Sequence, residues 1–271
     1  MWTYAKSGWL AARRSWFLLF ILFFYQYVWG FAIYKYVASK VEPLLHRYPG
    51  GELTESAKRL FWLEAEFQLT KTDLIASYLW TLGALLLVRL LITPLLNAGM
   101  YNAMARGGDG QRKAFAQGVK RYAKPFLLLY GLQALLTFAP LAWIVPRALE
   151  AAASSYDWTS IATALLPYVA GWLAYQGALD LLFMYVGFGI VDGGGGWSGL
   201  ALFARRALPI VALALATFGA LLAISLATAA LSVWWAGFLA VVIHQSFPIV
   251  RALLKLWSLR SQYDLWSAHR A

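Results

Sequence analysis

Two ionisable side chains, Arg89 and Asp180, fall inside long apolar runs, where a charge is costly enough to be a functional expectation with a partner to name. Each is the other's natural partner. Arg89 lies about fifteen residues ahead of one basic loop and Asp180 about twelve ahead of another, so at about 1.5 Å per helical residue both sit deep in their runs. The pair reads either as a lock between two helices or as part of a substrate or proton path. Gln133, Gln176, His244 and Gln245 extend that polar path, although polar residues on membrane helices also serve as packing contacts. A histidine at position 244 could titrate near neutral pH.

No other constellation points to catalysis. Cysteine is absent, which excludes disulfides, thiolate metal sites and cysteine nucleophiles, and His46 and His269 fall in other compartments than His244, which leaves no plausible zinc constellation. The run Gly193–Gly196 lacks the Lys and Ser or Thr that complete a phosphate loop and reads as a turn. Gly196-Trp197-Ser198-Gly199 superficially resembles the serine motif of rhomboid proteases, with His244 on a later helix. Ser198, however, lies in a basic loop just ahead of Arg205 and Arg206 rather than at the start of a buried span. We therefore expect no catalytic residues, no metal and no cofactor.

The elements that must position these residues are long apolar helices. Of 271 residues, 61% are hydrophobic and only 13% charged, and the mean hydropathy is +0.61. A soluble domain is roughly half apolar and about a quarter charged. The apolar runs are continuous rather than alternating, which argues for helices against a membrane β-barrel. Six spans are expected, over approximately residues 15–36, 74–96, 126–145, 161–191, 210–230 and 235–256, with a kink at Pro94 and a fourth span long enough to tilt. Leu53, Ala57, Leu60, Leu63 and Phe67 recur at helical spacing among charges and predict an amphipathic helix on the outer surface. Many of the Trp, such as Trp2, Trp9, Trp80 and Trp257, stand where apolar runs end, as interfacial anchors do. Residues 1–14 are basic and amphipathic, and the run that follows is long enough to span, so no cleavable signal is expected.

Basic residues set the orientation. Lys6, Arg13, Arg14, Arg106, Arg112, Lys113, Lys120, Arg121, Lys124, Arg205, Arg206, Arg251, Lys255, Arg260 and Arg270 fall on one side if the spans alternate, opposed there only by Asp109, Asp192 and Asp264. The positive-inside rule then places both termini in the cytoplasm of a plasma-membrane protein. The net charge of +11 is explained by this face, with no need of nucleic acid.

The two inner loops match at one constant offset: Met100-Tyr101 with Met184-Tyr185, Gly110 with Gly194, Arg121 with Arg205, Ala123 with Ala207, and Pro125 with Pro209. Each copy reads as a span, a glycine turn, a basic amphipathic helix and a proline that starts the next span. Copies that begin and end on the same side are parallel repeats, related by an axis along the membrane normal. The alternative is that any inner helix hairpin carries Gly and Arg at these places. Arg112, Lys113, Lys120, Arg121, Lys124, Arg205 and Arg206 would form a basic platform for a cytoplasmic partner or for anionic lipid head groups.

The stretch from Pro94 to Pro125, with Phe115, Gly118 and a basic run into the next helix, resembles that of six-helix bacterial membrane proteins of the YciC type and the membrane domain attached to some glycerophosphodiester phosphodiesterases. The resemblance covers about half of the chain. It implies a six-helix fold and no catalytic residues, because the hydrolase of those fusions is a separate domain. The expected function is a non-enzymatic transport-related or assembly subunit. It would meet the bilayer, anionic lipids, and an ATPase, another membrane subunit or a second copy of itself. The alternatives are a permease subunit of an ABC-type exporter and an intramembrane hydrolase built on Ser198 and His244.

Overall fold

A computed structural model describes residues 2–47, 74–106, 110–153, 158–234 and 238–270. The expected surface helix over residues 53–67 lies outside them. The described residues form nine α-helices: α1 (Trp2–Arg14), α2 (Trp16–Arg47), α3 (Leu74–Arg106), α4 (Gln111–Phe138), α5 (Leu141–Ala153), α6 (Trp158–Val191), α7 (Gly195–Arg205), α8 (Ala207–Trp234) and α9 (Phe238–His269). No strand occurs among them.

Among the described residues, five stretches are long and apolar enough to cross a membrane: Trp16–Ser39, Tyr78–Arg106, Gln111–Ala148, Ala162–Val191 and Ala207–Leu231. They correspond to the first five expected spans. The expected sixth span falls on α9, which runs past Leu256 to His269; the side chains of its residues 238–245 lie outside those described. The most apolar part of Gln111–Ala148 is 0% buried and that of Tyr78–Arg106 only 6% buried. Leu132, Leu135, Phe138, Leu173, Leu215, Phe218 and Leu226 are among the large apolar side chains left exposed. An apolar surface this continuous has no favourable contact with water.

Local sequence explains most breaks. Ser15 separates α1 from α2, its hydroxyl donating to the Ala11 carbonyl while its own carbonyl accepts from the Leu19 N–H (3.0 Å each). The turn between α6 and α7 needs left-handed backbone at Gly193 (φ +85°) and Gly195 (φ +73°), which glycine adopts without penalty. Pro125 does not start a helix as expected. α3 runs through Pro94, and α4 runs through Pro125, so the basic helix and the third apolar run are one continuous element rather than two. Pro125 removes the bond to the Arg121 carbonyl, but Arg121 is exposed, so water can satisfy that carbonyl. The break comes instead at Pro140, ahead of α5.

The chain divides into two compact units, one of residues Leu22–Ile92 and one of Met1–Ile21 with Thr93–Ala271. In the smaller unit the Tyr36 hydroxyl donates to the Tyr78 carbonyl (2.9 Å), joining α2 to α3. Phe23, Tyr27 and Phe31 stack at four-residue spacing along α2.

The larger unit holds the core. Tyr101, Phe126, Tyr185, Phe188, Ile210, Leu256, Leu265 and Trp266 are all buried, with ring centroids 5.0 Å apart for Tyr101 and Phe188 and 5.5 Å for Tyr101 and Phe126. The amphipathic α1 docks on the last turns of α9. Trp257 donates its indole N–H to the Ala5 carbonyl (2.7 Å) and packs edge-on against Trp9 at 5.6 Å. Trp9 and Trp257 thus make a helix-to-helix contact, whereas Trp2 is 82% exposed. The approach is close because position 8 is glycine: a Cβ there would lie 2.7 Å from the Ser261 nitrogen. Gly8→Val should destabilise the protein by about 1–3 kcal/mol through overpacking. Gly131→Ala, where a Cβ meets nothing within 4 Å, should leave the melting temperature equal or higher. Thermal unfolding in mild detergent checks both, and equal losses for the two variants would contradict the docking of α1.

Candidate functional site

Asp192 follows α6 directly, and its side chain is only 8% exposed. Burying a carboxylate is costly unless donors converge on it. Three do: the Trp266 indole N–H (2.6 Å), the Tyr263 hydroxyl (3.2 Å) and the Arg270 guanidinium (2.7 Å). Burial, together with the neighbouring carboxylate, pushes the Tyr263 phenol up to about 12, so it remains a proton donor at any physiological pH. The aspartate therefore ties the end of α6 to the last two turns of α9. The Ser7 hydroxyl donates to Asp264 (2.6 Å) and adds α1 to the same assembly.

A second polar set lies within the core. Tyr185 donates to the Gln262 side-chain oxygen (2.8 Å), and the Gln262 amide donates to the Ile210 carbonyl (3.1 Å), linking α6, α9 and α8. Asn102 donates to the Ala114 carbonyl (2.6 Å) across the α3–α4 turn. Tyr122 donates to the Val191 carbonyl (3.2 Å), joining the basic part of α4 to the end of α6.

Around this knot stand the cations. Arg112, Lys113, Lys120, Arg121, Lys124, Arg205 and Arg206 are all exposed. Arg112 lies over the Phe17 ring (5.7 Å) and Arg121 over Tyr122 (5.5 Å), so their stems are held while their charges face outward. Arg260 turns into the protein: its guanidinium donates to the Met104 carbonyl (2.8 Å) and lies 5.9 Å from the Tyr263 ring.

The expected polar path is resolved in part. Gln133 of α4 donates to Asp180 of α6 (2.6 Å), and Lys255 of α9 acts on Asp180 electrostatically. Gln176 is half-buried one turn before Asp180. Arg89 belongs to the smaller unit and Asp180 to the larger. The side chains of His244 and Gln245 lie outside those described. Ser198 donates to the Gly195 carbonyl (2.8 Å), a bond that closes the first turn of α7. Among the described residues no group of three or more His, Asp or Glu could hold a metal ion.

Sequence reading alone passed over Asp192, Tyr263 and Trp266, whose only signal was an aspartate at the end of an apolar run with aromatic residues near the C-terminus. Asp192→Ala should cost about 1–3 kcal/mol for each buried donor left without an acceptor. Arg270→Ala should cost clearly less, because Arg270 is half-exposed and its charge is screened. Thermal unfolding of the two variants checks the order, and equal losses would mean that the ion pair, not the buried hydrogen bonds, carries the junction. No family model, no curated protein and no solved structure matches the chain.

Proposed function

We propose that the chain is a non-enzymatic plasma-membrane protein of six spans with both termini in the cytoplasm. It would act as a transport-related or assembly subunit that meets its partner through the basic end. One observation carries the reading: along α4, exposed cations from Arg112 to Lys124 give way to the exposed apolar side chains Leu128, Leu132 and Leu135. A helix of this kind is charged where it meets water and anionic head groups, and apolar where it meets acyl chains. The same order recurs from Arg205 and Arg206 into Leu208, Leu215 and Phe218 on α8. The sixth span would be the first half of α9.

Burial supports the parallel repeat. Tyr101 and Tyr185, Met104 and Phe188, and Phe126 and Ile210 are matched positions of the two copies, and all are buried. The copies differ in that α4 is one helix while α7 and α8 break at Arg206. That break favours one further reading, a permease subunit of an ABC-type exporter. The 11-residue α7, with Trp197 exposed, would be a short inner helix presented to an ATPase.

Affinity purification from the native membrane in mild detergent tests the role. A specific protein partner should be retained and then lost when Lys120 and Arg121 are changed together to Glu. An ATPase among the retained proteins selects the exporter reading, and retention unaffected by the charge reversal contradicts docking through the basic end.

Asp180 and Arg89 are proposed to interact within the membrane. Asp180→Ala with Arg89→Ala should then destabilise less than the sum of the single changes, since one unpaired charge at that depth is worse than none. Additive losses in the double-mutant cycle would leave Gln133 and Lys255 as the partners of Asp180.

A further inference from the structure

A groove opens beside the Asp192 junction, lined by Tyr4 of α1, Leu202 of α7, Arg206 and Pro209 at the α7–α8 break, and Leu265 and His269 of α9. Its walls divide by chemistry. Tyr4, Arg206 and His269 carry donors, and Leu202, Pro209 and Leu265 form an apolar side. We propose that this groove binds the phosphate ester of an anionic phospholipid head group, with the guanidinium of Arg206 as its principal contact.

Arg206 suits that role because it forms no ion pair among the described residues, and the helix break (φ −127°, ψ 29°) presents it at the groove. A guanidinium matches two phosphate oxygens with parallel N–H groups. The imidazole of His269 is oriented by its Nδ1–H, which donates to the Leu265 carbonyl (3.0 Å), and by the Tyr4 ring at 6.2 Å. Nε2 is the ring nitrogen left to meet a ligand, and the Tyr4 hydroxyl supplies a further donor.

The walls are held in place before any ligand arrives. The Trp266 and Arg270 bonds to Asp192 fix the end of α9, and Ser7 and Ala5 hold α1 through Asp264 and Trp257. A site whose side chains are already positioned loses less entropy on binding.

Position selects a lipid over a soluble phosphate. The apolar stretch Ala207–Leu231 begins at the residue after Arg206, and Leu208 is 85% exposed. Arg206 therefore stands where the chain passes from water into hydrocarbon, the level of head-group phosphates. This step rests on the membrane reading above.

The test uses the full chain in nanodiscs of phosphatidylcholine with and without phosphatidic acid, followed by native mass spectrometry of the protein released with its retained lipids. The wild type should retain one phosphatidic acid in preference to phosphatidylcholine. Arg206→Gln should lower that retention about tenfold, the loss expected for a charge-assisted hydrogen bond. Tyr4→Phe, which keeps the ring against His269, should lower it less. Arg13→Gln, at an exposed cation of α1 outside the groove lining, should leave it unchanged, and melting temperatures should match throughout. Equal losses for Arg13→Gln and Arg206→Gln would overturn the proposal in favour of diffuse surface charge. Displacement of the lipid by inorganic phosphate at comparable concentration would overturn it in favour of a soluble ligand. Failure of the protein to enter nanodiscs at all would defeat the membrane reading itself, and the proposal with it.

Discussion

Asp192 is a charge with little access to solvent, tolerable only because an indole, a phenol and a guanidinium converge on it. Two of the donors, Tyr263 and Trp266, come from the last two turns of α9 and the third, Arg270, from the residue after it, while the acceptor comes from the residue after α6. The bond set therefore fixes how the C-terminal helix lies against the fourth apolar run. The docking of α1 depends on it in turn, because Ala5, Ser7 and Gly8 contact residues of the same stretch of α9. The groove of Tyr4, Arg206 and His269 then follows as the space left between elements already held.

The larger unit thus combines two surfaces of opposite character. Near the turns at Gly110 and Gly193, small residues, buried aromatics and paired polar groups pack as in a soluble core. Along the remainder of α4, α6 and α8, Leu and Phe side chains stand exposed in long runs. Helices satisfy their own backbone hydrogen bonds, so they can present such surfaces to hydrocarbon without further support. In the proposed function the packed end, where exposed cations surround a polar knot, would meet the partner, and the apolar runs would hold that end at a membrane face.

Much of the helical plan was legible in the sequence. The fourth apolar run was expected over residues 161–191, and α6 ends at Val191, because glycines able to take positive φ follow it. Continuity was harder to read. Pro125 looked like a helix start, yet α4 passes through it, since a single lost hydrogen bond at an exposed carbonyl does not outweigh the packing of Phe126 on Tyr101. Tertiary partners were hardest. A count of cations by side of the membrane treats Arg260 as surface charge, whereas Arg260 reaches inward to Met104. Periodicity reports which face of a helix is apolar and says nothing of which helix covers it. For the same reason the bond of Trp257 to Ala5 had no signal in the sequence.

The absence of cysteine makes the central claim directly testable, because every introduced thiol is the only one present. Single cysteines at Lys120, Arg205, Glu150, Leu132 and Leu222 can be labelled with a membrane-impermeant maleimide in intact cells and in inverted vesicles. The account predicts labelling of positions 120 and 205 only in inverted vesicles, of position 150 only in intact cells, and of positions 132 and 222 in neither. Rapid labelling of positions 132 and 222, or labelling of 120 and 150 from the same side, would contradict it.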